Sequence, residues 1–350
     1  MEKRKTCSIR KFAQFLGSLA ACCPAVKYAW AYTKKFERDK YFALLHTKGN
    51  YNAHMKIPSR TTEFSWWKSH IFTGSMSLLS PPFSLEMFTD ASTTGWGASC
   101  QVQTARGTWT PLEREFHINH LELLAVLFAL QSFAKGLADI NILLRIDNTT
   151  AIAYINRMGG IRFPHLNAVA FQIWKFCENS NLSVFASYIR SADNFIADAE
   201  SRKLDLETEY ELSHEAFDEI TSHLGQPKVD LFASRKNFKC ERYFSWKCDP
   251  GAELIDAFLT SWKALNFDAF PPFSLILKTL QKIQRDRAVG IMVVPNWPGQ
   301  PWFPVFKDLL ISDPVILTSS QFLLVSPNRD PHPLWKKLSL VAGTLSGKHS

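Results

Sequence analysis

Four acidic residues stand where structural need explains them poorly. Asp90 ends an apolar stretch in "MFTDASTTGWGAS", and Asp147 ends another in "INILLRIDNTTA". Glu122 is the one charge in "NHLELLAVLFAL", and Asp198 lies in "ADNFIADAESR". An ionised carboxylate buried without a partner costs several kcal/mol. Clustered carboxylates therefore need a counter-ion, and divalent cations supply one: Mg²⁺ takes oxygen ligands while keeping waters and phosphate oxygens. Two such ions about 4 Å apart can activate water and stabilise a leaving oxygen in phosphodiester hydrolysis. Each residue also has an ordinary reading. Asp90 and Asp147 could bond nearby backbone in turns. Asn119 as N-cap with Glu122 at the third helical position would form a capping box. Asp198 could pair with Arg202 one turn on.

The elements expected to position these residues follow from periodicity and turn signals. Strands are expected at about 84–90, 95–102 and 107–110, with a Gly-rich turn after the first. A long helix (119–135), a strand (140–147), helices (149–158 and 163–179), a strand (182–190) and a last helix (193–202) follow. Two strand-end aspartates on neighbouring strands would leave from one edge of a mixed sheet, and a crossing helix could bring Glu122 to it. Before this domain, residues 8–46 read as two helices broken near Pro24, then a polar, Trp-containing connector. After it, an acidic linker (203–213) leads to a region (214–325) of alternating strand and helix, an open α/β sheet. Residues 326–350 read as a loose tail.

The chain has 350 residues, 46% of them hydrophobic and 21% charged, enough for two or three domains with real cores. Its net charge of +8 is uneven. Residues 1–83 carry 14 Lys+Arg against 4 Asp+Glu, residues 84–202 carry 9 against 11, and the rest balance. A basic helical segment beside a slightly acidic domain suggests a nucleic-acid partner, or else simply a solubilising surface. Seven cysteines at irregular spacing, without CxxC, fit a reduced intracellular protein with no zinc site, in nucleus or cytoplasm. No apolar run has the length of a membrane span, so no membrane partner is expected. The basic-then-apolar start mimics a signal peptide, but its apolar residues keep helical spacing and read as a core helix.

"TDASTTGWGA", "HINHLELLAVLFAL", "IDNTTAIAYINRMGG" and "NFIADAESR" together resemble the RNase H domain of DIRS-class retrotransposon polyproteins, over about 84–202. The resemblance implies an α/β, RNase H-like fold with a five-stranded mixed sheet. It implies that Asp90, Glu122, Asp147 and Asp198 are the catalytic, metal-binding set, holding two Mg²⁺ ions, with Mn²⁺ as the alternative. Water on one metal would attack in line, leaving 5′-phosphate and 3′-hydroxyl ends. The substrate would be the RNA strand of an RNA–DNA hybrid, recognised through 2′-hydroxyls. Gly95, Trp96, Gly97 and Asn148 would contribute substrate contacts by position; the glycines otherwise serve turn geometry. Many relatives carry a histidine shortly before the last aspartate; "YIRSADNFIAD" has none, which bears on product release.

Residues 8–46 resemble the helical thumb and connection of the same polyproteins, without a polymerase palm. The chain thus reads as a polyprotein fragment starting at an internal methionine, unable to polymerise DNA. A polymerase or other element-encoded proteins would be its partners. Residues 214–310 bear a weaker likeness to a phage-type DNA N6-adenine methyltransferase, through "VDLFASRKNFKCERYFSW", "FPPF" and "GIMVVPNWPGQPWF". That family has Asn or Asp before Pro-Pro-aromatic; here Phe270 stands there and offers no acceptor. Phe273 could still stack on a base, and Asp230 matches the start of the cofactor strand. This module reads as inactive in methylation, or as an ordinary α/β core using "FPPF" as a turn. The alternative to a hybrid nuclease is a catalytically silent nucleic-acid-binding remnant.

Overall fold

The computed structural model describes residues 5–57, 59, 61–77, 82–203, 210–325 and 332–349. The chain divides into two compact units, Met1–Arg202 and Lys203–Ser350.

In the first unit, α1 (Ile9–Cys22) and α2 (Ala29–His46) form the two expected helices. The Trp-containing connector is corrected: it holds a third helix, α3 (Thr61–His70). Polar residues dominate its sequence, yet Phe64, Trp66 and Trp67 are buried. Three aromatics in four positions cover one broad face, too short a stretch for periodicity to show. Burial alone would raise the Glu178 carboxyl, but donation from Tyr32, Trp66 and Lys175 holds it below its ordinary value. Tyr32 and Trp66 stack at 4.1 Å above it. Tyr28 donates to the Leu182 carbonyl at 2.7 Å. The basic helices are thereby fastened to the region that follows.

That region is a five-stranded mixed sheet with helices. Its strands are β1 (Leu85–Ala91), β2 (Gly95–Cys100), β3 (Gln103–Thr108), β4 (Asn141–Ile146) and β5 (Ser183–Tyr188), in the order β3-β2-β1-β4-β5. The first three form an antiparallel meander; β4 and β5 run parallel to β1. The expected strand 95–102 stops at Cys100, because Gln101 takes φ +55° and starts the hairpin. No Gly, Asn or Asp marks that turn, so sequence patterning overran it. The expected Gly-rich turn is likewise corrected: Gly95, Trp96 and Gly97 are strand residues of β2.

Long helix α4 (Ile118–Phe133) is buried all round from His120 to Leu130, packed on β1 and β2 on one side and on α6 (Pro164–Asn179) on the other. A helix apolar on every face must lie inside a domain. Between β4 and α6 comes α5 (Thr149–Asn156), capped by Asn148, whose side chain accepts from the Ala151 N–H at 2.9 Å. The last helix, α7 (Phe195–Arg202), lies against β1 and β2.

The second unit holds the open α/β sheet that alternation predicts. Its strands are β6 (Val229–Asp230), β7 (Arg242–Ser245), β8 (Leu254–Ile255), β9 (Phe267–Ala269), β10 (Val289–Pro295), β11 (Val315–Leu317) and β12 (Leu340–Ser346). The order is β8-β7-β6-β9-β10-β12-β11; the first five are parallel, and β12 runs antiparallel to both its neighbours. The expected loose tail is therefore corrected. β12 is a buried interior strand, and "LVAGTLS" is an apolar run with no alternation, as a strand covered on both faces requires. Residues 326–331 of that tail lie outside the described residues. The "FPPF" stretch directly follows β9, with Phe273 edge-on to Trp297 at 5.3 Å and packed into the apolar core.

Candidate metal centre

The sheet brings Asp90 and Asp147 together. Parallel β1 and β4 pair Phe88 with Arg145, and that register runs on toward Asp90 and Asp147, each two residues further. In parallel strands such partners leave the sheet side by side. Glu122 arrives from α4. The helix starts one residue earlier than expected, with His117 as N-cap, so Glu122 is its fifth residue and the capping box is corrected. The His117 ring, not Asn119, accepts at the helix start, from the Asn119 N–H at 3.2 Å. Glu122 is 4% exposed, and its carboxylate accepts from the Ala91 N–H beside Asp90.

One ligand oxygen from each of Asp90, Glu122 and Asp147 lies within 4.8 Å of the others. At that separation, with an effective dielectric of about 20, each pair of full negative charges repels by about 3 kcal/mol or more. Burial, then Asp90 and Asp147, push the Glu122 carboxyl up to about 9. Burial also raises Asp90, opposed by the Ser201 hydroxyl and reinforced by Asp147 and Asp198. The Glu122 Oε2 atom is buried and lacks a hydrogen-bond partner among the described residues. A buried acceptor without a donor, facing two further carboxylates, fits a hard divalent cation. The three residues together could hold one.

Asp198 stands apart from this trio. It is partly exposed, and its Oδ1 pairs with Arg202 Nη2 at 2.6 Å and Nε at 3.0 Å, the i+4 pairing weighed from sequence. Its charge is nonetheless felt at Asp90. The helix carrying it is fixed from several sides. Asn194 donates to the Thr89 carbonyl at 2.9 Å, Ser92 to the Ser201 carbonyl at 2.7 Å, and Arg106 pairs with buried Glu200 at 2.7 Å. Gly97 makes the approach possible. A Cβ there would sit 2.8 Å from the Glu200 carbonyl carbon and closer still to the Ala197 oxygen and Ser201 nitrogen. Trp96, 1% exposed, packs on Phe128 at 5.4 Å, a core position.

Sequence reasoning passed over the residues that hold these carboxylates. Ser191 donates to Asp147 Oδ2 and Ser201 to Asp90 Oδ2, both at 2.6 Å. Asn148 lies beside Asp147 and donates to Asn119 Oδ1 at 2.9 Å, joining the start of α4 to the start of α5. Ser201 could have been found, since it lies three residues after Asp198 on the same helix face. Ser191 could not, because nothing in "YIRSADN" shows which way the loop turns.

The raised Glu122 carboxyl has a consequence for stability in chelator. Below its ordinary value of 4.5 the group is neutral in folded and unfolded chains alike. Above that value the unfolded chain ionises while the folded one stays protonated up to about 9, so rising pH favours unfolding. Stability should fall between these limits by up to about 1.4 kcal/mol per pH unit. Denaturant unfolding in EDTA across this range measures the slope, and adding Mg²⁺ or Mn²⁺ should flatten it. A flat profile in EDTA would contradict the burial of this carboxyl.

No protein family and no curated protein matches the sequence. Among solved structures, the chain is similar to the RNase H1 of the archaeon Halobacterium salinarum, at 19% identity and a TM-score of 0.29, over 33% of this chain and 92% of that one. It is similar to LC11-RNase H1, solved in complex with RNA/DNA hybrid, at 17% identity and a TM-score of 0.29, over 33% and 93%. It is also similar to the protease-reverse transcriptase of Prototype Foamy Virus, at 14% identity and a TM-score of 0.22, over 51% of this chain and 24% of that one. Among the described residues no helix is long and apolar enough to cross a membrane.

Proposed function

We propose that this chain is a retrotransposon-derived ribonuclease H that cuts the RNA strand of RNA–DNA hybrids with Mg²⁺. The observation that carries the reading is the meeting of Asp90, Glu122 and Asp147 within 4.8 Å, from two strands and a helix, with a buried Glu122 oxygen left without a donor. Asp90, Glu122 and Asp147 would hold the cation, and Asp198, one helix away, would complete a second position once released from Arg202. Divalent ions there supply activation of water and neutralisation of charge on the phosphate. The chain's own residues orient and desolvate. Ser191 and Ser201 fix two of the carboxylates, and the wall of α4 keeps Glu122 out of water. The Asn119–Asn148 pair at the rim offers amide groups to the 2′-hydroxyls that distinguish RNA from DNA. The basic helices α1 and α2 suit contact with phosphates.

The second unit supports reading a methyltransferase-like module without methyl transfer. Its parallel sheet reverses direction of growth between β6 and β9, where open α/β sheets place ligands. Phe270 follows β9 directly and has no acceptor for an amino group.

The full chain, incubated with Mg²⁺ and a hybrid labelled on the RNA strand, should cut that strand, and Asp90→Asn should lower the rate at least about 100-fold, since even a lost supporting partner of a metal ligand costs about 10- to 100-fold. Parental cleavage by Asp90→Asn would refute the assignment. Hybrid binding that is equal in EDTA and Mg²⁺, with no turnover, would favour a silent binding protein.

A further inference from the structure

Ser201 is 1% exposed, on the last turn of α7. Its Oγ lies 2.6 Å from Asp90 Oδ2 and 2.9 Å from the Asp198 backbone carbonyl. A hydroxyl has one proton. Donation to the carboxylate is the shorter and charge-assisted choice, and such bonds are about twice as strong as neutral ones. The carbonyl three residues back is the ordinary resting acceptor of a helical serine. The same residue's backbone is held in turn: its carbonyl accepts from Ser92 Oγ at 2.7 Å, and its nitrogen occupies the space that the missing Cβ of Gly97 leaves. Ser201 is thus the point where the last helix, the strand carrying Asp90 and the turn between β1 and β2 meet.

We propose that Ser201 is a positioning residue for the metal centre: its hydroxyl fixes the rotamer of Asp90, occupies Oδ2, and leaves Oδ1 for the cation shared with Glu122 and Asp147. The proposal rests on the carboxylate cluster being a metal site. Through one hydroxyl the Asp90 carboxylate is tied to the helix that carries Asp198, so the fourth carboxylate keeps a constant distance from the trio. If Ser201 served only its own helix, the Asp198 carbonyl would satisfy it and its loss would leave metal binding unchanged.

The test uses the full chain and Mn²⁺ alone, titrated calorimetrically without nucleic acid. Ser201→Ala should bind Mn²⁺ about 10-fold more weakly, the lower range for a lost outer partner of a metal ligand. Its hybrid affinity in EDTA should stay parental, while cleavage falls with KM for hybrid unchanged. Ser201→Thr, which keeps the hydroxyl, should return Mn²⁺ affinity to the parental value. Parental Mn²⁺ affinity in Ser201→Ala overturns the positioning role and leaves the metal site standing. Should Ser201→Ala melt early, Ser201→Thr decides: an affinity as weak as that of Ala assigns the loss to packing and overturns the proposal. A parent chain that binds no Mn²⁺ at millimolar concentration removes the metal site itself, a failure distinct from that of Ser201.

Discussion

Glu122→Gln is expected to abolish hybrid cleavage while making the chain more stable in chelator. The substitution keeps the size of the side chain and an acceptor for the Ala91 N–H, and removes only the ionisable oxygen. As Glu122 is the fifth residue of α4 and not its third, no capping function is lost. Within 4.8 Å of Asp90 and Asp147, a neutral amide oxygen is a much weaker ligand for a hard divalent cation than a carboxylate, because it brings no negative charge. Cleavage should fall at least about 100-fold and Mn²⁺ affinity with it. Stability in EDTA moves the other way. With a carboxyl value of about 9 folded and 4.5 unfolded, the parent carries a penalty at pH 7 that Gln does not. Urea unfolding at pH 7 in EDTA should show a gain of up to about 3 kcal/mol, shrinking toward zero near pH 4. A variant that cleaves at the parental rate would remove Glu122 from the site.

Gly97→Ala should cause the largest loss of stability of any single added methyl group near the site. The new Cβ would meet backbone atoms of Ala197, Glu200 and Ser201, which cannot swing aside as a side chain can. The last helix must then lift from β2. That lift breaks the Ser92 and Ser201 hydrogen bonds and draws Asp198 away from Asp90. Overpacking typically costs 1–3 kcal/mol, and a rigid backbone obstacle places this change at about 3 kcal/mol. Chemical denaturation in EDTA measures it without reference to activity. By contrast, Gly136, with open space around its Cβ position but φ +80°, would show only the smaller strain of a left-handed alanine. Parental stability in Gly97→Ala would mean that the helix does not lie on β2 as described.

Much of the five-stranded region is readable from sequence because its signals are local. Apolar runs ending in aspartate define β1 and β4, and a long apolar helix with one charge defines α4. Their chain order already implies a mixed sheet with a shared edge. Local signals failed where packing decided. Helix α3 is polar on average and is held by aromatic stacking on α2 and by Glu178. The strand β12 lies within the stretch that reads as a tail, and it becomes interior only because β10 and β11 receive it. The turn at Gln101 needs a left-handed residue that carries no mark in the sequence.

The candidate site divides the same way. The sequence by itself determined which carboxylates exist and that two of them close neighbouring strands, since strand ends and alternation are properties of short segments. Only the tertiary structure decided that Glu122 is buried beside Asp90 and Asp147 and is not a cap, that Gly97 is a seat for a helix and not a turn, and that Ser191 and Ser201 hold the aspartates. Those facts depend on residues far apart in the chain coming within hydrogen-bond distance, and no local pattern encodes a contact whose partner lies a hundred residues away.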